Sequence, residues 1–415
     1  MDTKWFNTMA VFEDYEQRFA QARAEKPVLR PWEAADREKL LSGVKRMLCW
    51  EDSLVPAVGA LEECSRREYD GYSAIEYRYP TWEGFWGCST LFMPDTEENV
   101  PLVFVCCGHG DAGRRTSGYQ AMGHRLASLG MAAMVMDNIG QGDRPKDTNQ
   151  FKTPDHWFSL APFYCGLTLQ GMIVMETVGL IRKMATDPRF DNKRLAACGN
   201  SGGGTLTMFL AALAPELSVI SSSGYPSELG YLLSKERRHC SCNLLEGAAF
   251  GPDMWEVYSL FAPKPLLLEG GKHDNLIPMD LAHRNARKVQ NTYKQLDSDT
   301  FSFQLTDTRH SWDLADFNLI SAFLAKQLLG ITPEDWTSVP TWDTVPVSMP
   351  EEMLTTNQLA EKLTGKKMPE GTQLWDIYVP TCKGIPVKAE DLQTDVGRGD
   401  VMQVFAQMEC ALTKK

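Results

Sequence analysis

The sequence predicts an α/β protein built on a mostly parallel central sheet flanked by helices. Two observations carry that prediction. Short continuous apolar runs, each ending in glycine or polar residues, recur from "VPLVFVCCGHG" onward. Segments of helical character separate them. Continuous runs suit strands buried on both faces, and strand alternating with helix implies a right-handed parallel arrangement.

In order along the chain, residues 1–60 read as a helical extension, with apolar positions of "WEAADREKLLSGVKRML" recurring at about the helical period. From "GYSAIEYRYPTWEGFWGCSTLFMP" the pattern shifts towards alternation and is rich in aromatic and β-branched residues, which predicts a leading antiparallel hairpin. The buried strands follow: "VPLVFVCCGHG", "MAAMVMDNIGQG", "RLAACGNSGGG", "LSVISSSGY", "PLLLEGGKHD" and "FSFQLTDTRHS". Between them lie "GYQAMGHRLASLG", "GMIVMETVGLIRKMATD" and "TLTMFLAALAP" as helices. Residues 61–330 thus form the expected central α/β domain, with 225–260 as a cap-like insertion. Beyond Gly330 a Pro- and Thr-rich stretch reads as a linker or extended wrap, and "TNQLAEKLTG" as a short helix closed by Gly365. The role of the extension 331–415 stays open.

Composition narrows the function classes. A formal charge of -12, with no basic cluster to reverse it locally, argues against nucleic acid as a partner. No stretch approaches the roughly 18 apolar residues a membrane span needs. The N-terminal "MDTKWFNTMAVFEDYEQRF" has neither a basic n-region nor an apolar core, so it does not read as a signal peptide. The 11 cysteines, an odd number scattered through a long chain, read as reduced thiols. A cytoplasmic location is the expectation, and a homo-oligomer is compatible with it.

Polar residues gather just after each strand run, where ligands bind in open α/β sheets. The segment Gly199-Asn200-Ser201-Gly202-Gly203 fits G-x-S-x-G on a strand–turn–helix. Small neighbours let the chain pass itself at a strained turn and leave the Ser201 hydroxyl exposed at a helix N-terminus. A serine hydroxyl needs a base. Of seven histidines, His310 follows the last strand run and precedes a helix. Asp274 follows the run before it, with room for one crossover helix between, though Asp307 and Asp313 rival it. Donors for an oxyanion are expected from the N–H of Gly202 and of His109, with Gly110 as the rival to His109.

"GHGDAGR", "VMDNIGQGD", "GNSGGG", "APKPLLLEGGKHDNLIP" and "DTRHSW", taken in this order, resemble the α/β-hydrolase superfamily. The likeness is to the acetyl xylan esterase and cephalosporin-C deacetylase branch, with dienelactone-hydrolase-like proteins nearby, and it spans about residues 70–330. It implies an α/β-hydrolase fold, hydrolysis of a small-molecule ester with a short acyl group, and no metal or other cofactor. By motif, Ser201, Asp274 and His310 take the triad positions, with Gly202 and His109 as the oxyanion pair. The chain departs from that branch at Gly202, where Gln is usual. A peptidase or amidase of the prolyl-oligopeptidase kind, or an idle fold used for interaction, are the alternatives. "RHCSCN" brings His239, Cys240 and Cys242 together, but C-x-C with one His lacks zinc spacing; these residues are expected in the pocket wall over Ser201. "GQGDRP" lacks the Lys-Ser/Thr of a phosphate loop and reads as a strand-end turn.

Overall fold

The computed structural model describes residues 6–96, 98–147, 159–233, 243–393 and 398–414. Its centre is a nine-stranded sheet. The strands are β1 (Glu62–Tyr69), β2 (Tyr72–Pro80), β3 (Trp86–Pro94), β4 (Val100–Cys106), β5 (Ala132–Met136), β6 (Phe190–Asn200), β7 (Val219–Ser223), β8 (Leu266–Gly271) and β9 (Phe301–Thr306). Their spatial order is β9-β8-β7-β6-β4-β5-β3-β2-β1. From β5 to β9 every pairing is parallel, whereas β1, β2 and β3 join antiparallel. The expected hairpin is therefore β2–β3, and a further strand extends it. That strand, "EECSRREY", lies at the sheet edge with largely exposed side chains, so it carries no apolar pattern to read.

Strands β4, β5, β7 and β8 are buried along their whole length, the condition that a continuous apolar run encodes. Two cores cover the two faces. One packs helices α3 (Ser117–Ser128) and α7 (Leu314–Leu329) through Met122, Leu126, Phe317 and Leu324. The other packs α4 (Leu169–Met184), α5 (Gly202–Leu213) and α6 (Met279–Gln295) through Met172, Val178, Phe209 and Val289. None of the helices among the described residues is long and apolar enough to cross a membrane.

Outside the sheet, α1 (Thr8–Glu25), α2 (Ala34–Met47), α8 (Thr356–Thr364) and α9 (Arg398–Leu412) come from the two terminal regions. A third apolar cluster joins Tyr15 and Phe12 of α1 to Phe405 and Met402 of α9. The Tyr15 hydroxyl donates to Glu409 at 2.8 Å inside this junction. The described residues of 225–260 bond to the same terminal elements. Arg23 pairs with Asp253 at 3.2 Å, and the Ala249 and Gly247 amides donate to Ala411 and Cys410 carbonyls. His239, Cys240 and Cys242 lie outside the described residues.

Residues 331–355 form no helix or strand, yet they lie against the domain through side-chain grips. Asn318 of α7 bonds both the amide and the carbonyl of Trp336, and Trp342 stacks on His124 with centroids 3.9 Å apart. Arg67, Arg78 and Arg114 donate to the carbonyls of Asp343, Ser348 and Val345. Arg114 is fully buried among Glu76, Asp137 and Asp143, with its shortest ion pair, to Asp143, at 2.7 Å.

Candidate active site

The turn between β6 and α5 has the geometry that its small residues predict. Ser201 stands at φ 59°, ψ -117°, a conformation that costs a non-glycine residue about 1–3 kcal/mol. Its amide donates to the Ser223 carbonyl at the end of β7, and its carbonyl starts α5 by accepting from Thr205. The hydroxyl makes no capping bond to that helix. Gly203 permits the turn, because a Cβ there would stand 2.0 Å from the Cys106 carbonyl oxygen of β4. Strand packing therefore holds the strain in place.

Asp274 and His310 meet across the ends of β8 and β9. His310 Nδ1 bonds Asp274 Oδ2 at 2.7 Å, and both side chains are largely buried. The other oxygen, Asp274 Oδ1, accepts the amides of Leu276 and Ile277 at 2.6 and 3.0 Å. Burial alone would raise this carboxyl, but its bond to His310, the imidazole charge and the two amides outweigh that and hold it below the ordinary range. His310 Nε2 is buried and has no hydrogen-bond partner among the described residues. His310 and Ser201 line one cavity of about 310 Å³, together with His109, Thr116, Tyr119, Asn200 and Trp312.

The two rival carboxylates are engaged elsewhere. Asp307 pairs with His273 at 2.8 Å on the exposed surface. Asp313 caps α7 by accepting from the Ala315 amide. The place of Asp274 after β8 favours it in the sequence, and these contacts separate it from the two carboxylates that follow β9.

Gly202 and His109 face each other. A Cβ on Gly202 would lie 2.4 Å from His109 Cε1 and 2.5 Å from Nδ1, so the imidazole fills the space that any side chain at 202 would need. This gives a physical reason for glycine at this position in place of glutamine. Burial first, and the nearby His310 charge second, push the His109 imidazole down to about 4, so it is neutral near pH 7. Gly110, the rival donor, has more open space: a Cβ there would meet only Thr116 Oγ1, at 3.9 Å.

Sequence reading passed over Tyr119, Asn138 and Gln141. Tyr119 accepts the Gly108 amide at 2.6 Å and meets Trp312 edge-to-face, centroids 5.6 Å apart. Asn138 and Gln141 belong to "DNIGQG", a strand-end turn whose side chains face the Gly108–Gly110 loop only once β4 and β5 are paired.

A buried acid pair, Glu269 and Asp316, meets at Thr306, four residues before His310. Thr306 Oγ1 stands 3.1 Å from Glu269 Oε1 and 2.6 Å from Asp316 Oδ1. Burial, then the Asp316 charge, push the Glu269 carboxyl up to about 8. The folded protein therefore holds a proton that the unfolded chain releases near pH 4.5, and stability falls as pH rises from there through about 8. Glu269→Gln, neutral and of the same shape, should flatten this slope. Urea midpoints at pH 5, 7 and 9 would check it, and an equal loss in both proteins would remove the acid pair as the cause.

This strand order, with a serine on a strained strand–helix turn beside a buried His–Asp pair, defines the chain as an α/β-hydrolase. Residues 72–231 match the family model described as "Acetyl xylan esterase". Together they make the protein a carboxylic-ester hydrolase. Solved structures share the fold. A methylesterase aligns at TM-score 0.59 and 20% identity, covering 76% of this chain and 68% of that one. A Bacteroides fragilis protein provisionally classed as an acetyl xylan esterase gives 0.57 and 16%, over 69% and 80% of the two chains. A glucuronoyl esterase from Solibacter usitatus gives 0.56 and 10%, over 71% and 93%. No curated protein gives a significant match.

Proposed function

We propose that the protein removes acetyl or other short acyl groups from an alcohol or sugar through a covalent acyl-enzyme on Ser201. The observation that carries this reading is the buried Asp274–His310 bond of 2.7 Å, with Nε2 unpartnered in the cavity that Ser201 also lines. Ser201 Oγ attacks the ester carbonyl carbon while His310 Nε2 takes its proton, and Asp274 holds the imidazolium. The amides of Gly202 and His109 receive the oxyanion, the first with the positive end of the α5 dipole behind it. Collapse expels the alcohol, which leaves with the proton from Nε2. Water, deprotonated by the same nitrogen, then releases the acid.

The cavity beside Ser201, about 310 Å³, has room for a short acyl group. The match over residues 72–231 supports an acetylated sugar as the natural ester. The unpaired thiols of Cys106, Cys107 and Cys198, buried in or beside β4 and β6, suit the reducing compartment that the sequence suggests. A series of p-nitrophenyl esters of rising chain length tests the acyl side. The highest kcat/KM is expected on the acetate or propionate, and a preference for long chains would overturn the assignment. Acetylated xylo-oligosaccharides and methyl uronates, assayed side by side, decide which half of the ester carries the sugar.

A further inference from the structure

Two side-chain amides in the turn after β5 grip the loop that carries His109. Asn138 Nδ2 donates to the Cys107 carbonyl and to Gln141 Oε1, both at 2.8 Å. With its oxygen so engaged, Gln141 directs Nε2 at the loop and donates to the carbonyls of Gly108 and Gly110, both at 3.0 Å. Gln141 is almost wholly buried. Three of the four carbonyls from Cys107 to Gly110 are thus held from one side.

In a trans peptide the carbonyl and the following N–H point in opposite directions. The Cys107–Gly108 unit shows this directly: Asn138 holds its carbonyl, and its N–H emerges on the far side to the Tyr119 hydroxyl at 2.6 Å. The next unit repeats the arrangement. Gln141 holds the Gly108 carbonyl, so the N–H of His109 is turned away from the β5 turn. The nucleophile lies close to this unit, since a Cβ on Gly108 would stand 3.3 Å from Ser201 Cβ. Without Gln141, rotation of the Gly108–His109 peptide about its flanking bonds would exchange an N–H for a carbonyl in that direction. Such a flip reverses the dipole presented to a developing oxyanion.

We propose that Gln141 is a positioning residue that fixes the His109 amide for transition-state stabilisation. The proposal rests on the Ser201 reading above. Its effect belongs to the transition state and not to ground-state binding, because the oxyanion forms only after attack.

Gln141→Met keeps the length and loses the donor; Gln141→Glu keeps the shape and sets a charge against the carbonyls. Each should lower kcat on p-nitrophenyl acetate by about 10²–10³-fold, the loss typical of one oxyanion donor, with KM changed by less than about threefold. The inhibition constant of an alkyl boronic acid, which forms a tetrahedral adduct, should rise in parallel with the fall in kcat. The pH at the acid limb of kcat/KM should not move. A loss under about tenfold in folded variants would overturn the proposal, as would a change confined to KM or a kcat loss with boronate affinity unchanged. Failure of both variants to fold, seen by circular dichroism, would make Gln141 structural and equally overturn it. Boronate affinity reads the clamp without a natural substrate. Failure of the wild type to take a fluorophosphonate label at Ser201 would instead sink the reading beneath it.

Discussion

Ser201→Ala should lower ester turnover by about 10⁴–10⁶-fold and leave the fold intact. Alanine keeps the Cβ that already fits at φ 59° and removes only the oxygen that attacks. The turn is held by the Ser201 backbone, bonded to Ser223 and Thr205, so the side-chain change leaves its geometry alone. Steady-state assay, far-UV circular dichroism and fluorophosphonate labelling read the three components separately. Retention of more than a few per cent of wild-type activity would mean that another nucleophile operates. Loss of activity together with loss of the fold would mean that the hydroxyl is structural.

Asp274→Asn should cost about 10⁴-fold in turnover, for a reason that the contacts make specific. One carboxylate oxygen accepts two backbone amides and the other accepts His310 Nδ1–H. An asparagine that keeps its oxygen on the amides must turn its NH₂ towards Nδ1. The imidazole then carries its proton on Nε2, the nitrogen that has to accept from Ser201. Asp307→Asn should be mild, since it alters an exposed pair with His273. Asp313→Asn should be mild as well, because asparagine caps a helix about as well as aspartate does. Turnover of the three variants measured together settles the ranking. A larger loss at either rival would move the acid.

What the sequence made legible follows from how each element is buried. Strands β4, β5, β7 and β8 are covered on both faces and so appear as unbroken apolar runs. The turn at Ser201 was legible because sterics restrict its neighbours to small residues. Edge strand β1 was not, since exposure on this scale leaves its residue types free. Asp274 was legible by its place after β8, whereas the contacts that set it apart from Asp307 and Asp313 form only across β8 and β9. The grip of Gln141 on Gly108 and Gly110 was hidden for a similar reason. An amide side chain in a polar turn has no periodicity, and its partners lie 33 and 31 residues earlier in the chain.

The stretch 331–355 lacks helix and strand, yet it completes the surroundings of a charge inside the catalytic domain. Arg114 lies three residues after the Asp111 that ends "GHGD", and its guanidinium is fully enclosed. Part of that enclosure is the Val345 carbonyl, while the Asp143 carboxylate paired with it also receives the Val347 amide. Gly330 ends α7, and the chain beyond it stays bonded to the domain. Deleting the segment beyond it would hand that ion cluster back to water. The segment after Gly330 thus acts as an insulator between that charge and the solvent. Because the strap meets this cluster through the Val345 carbonyl and the Val347 amide, the contact survives changes of side chain at those two positions.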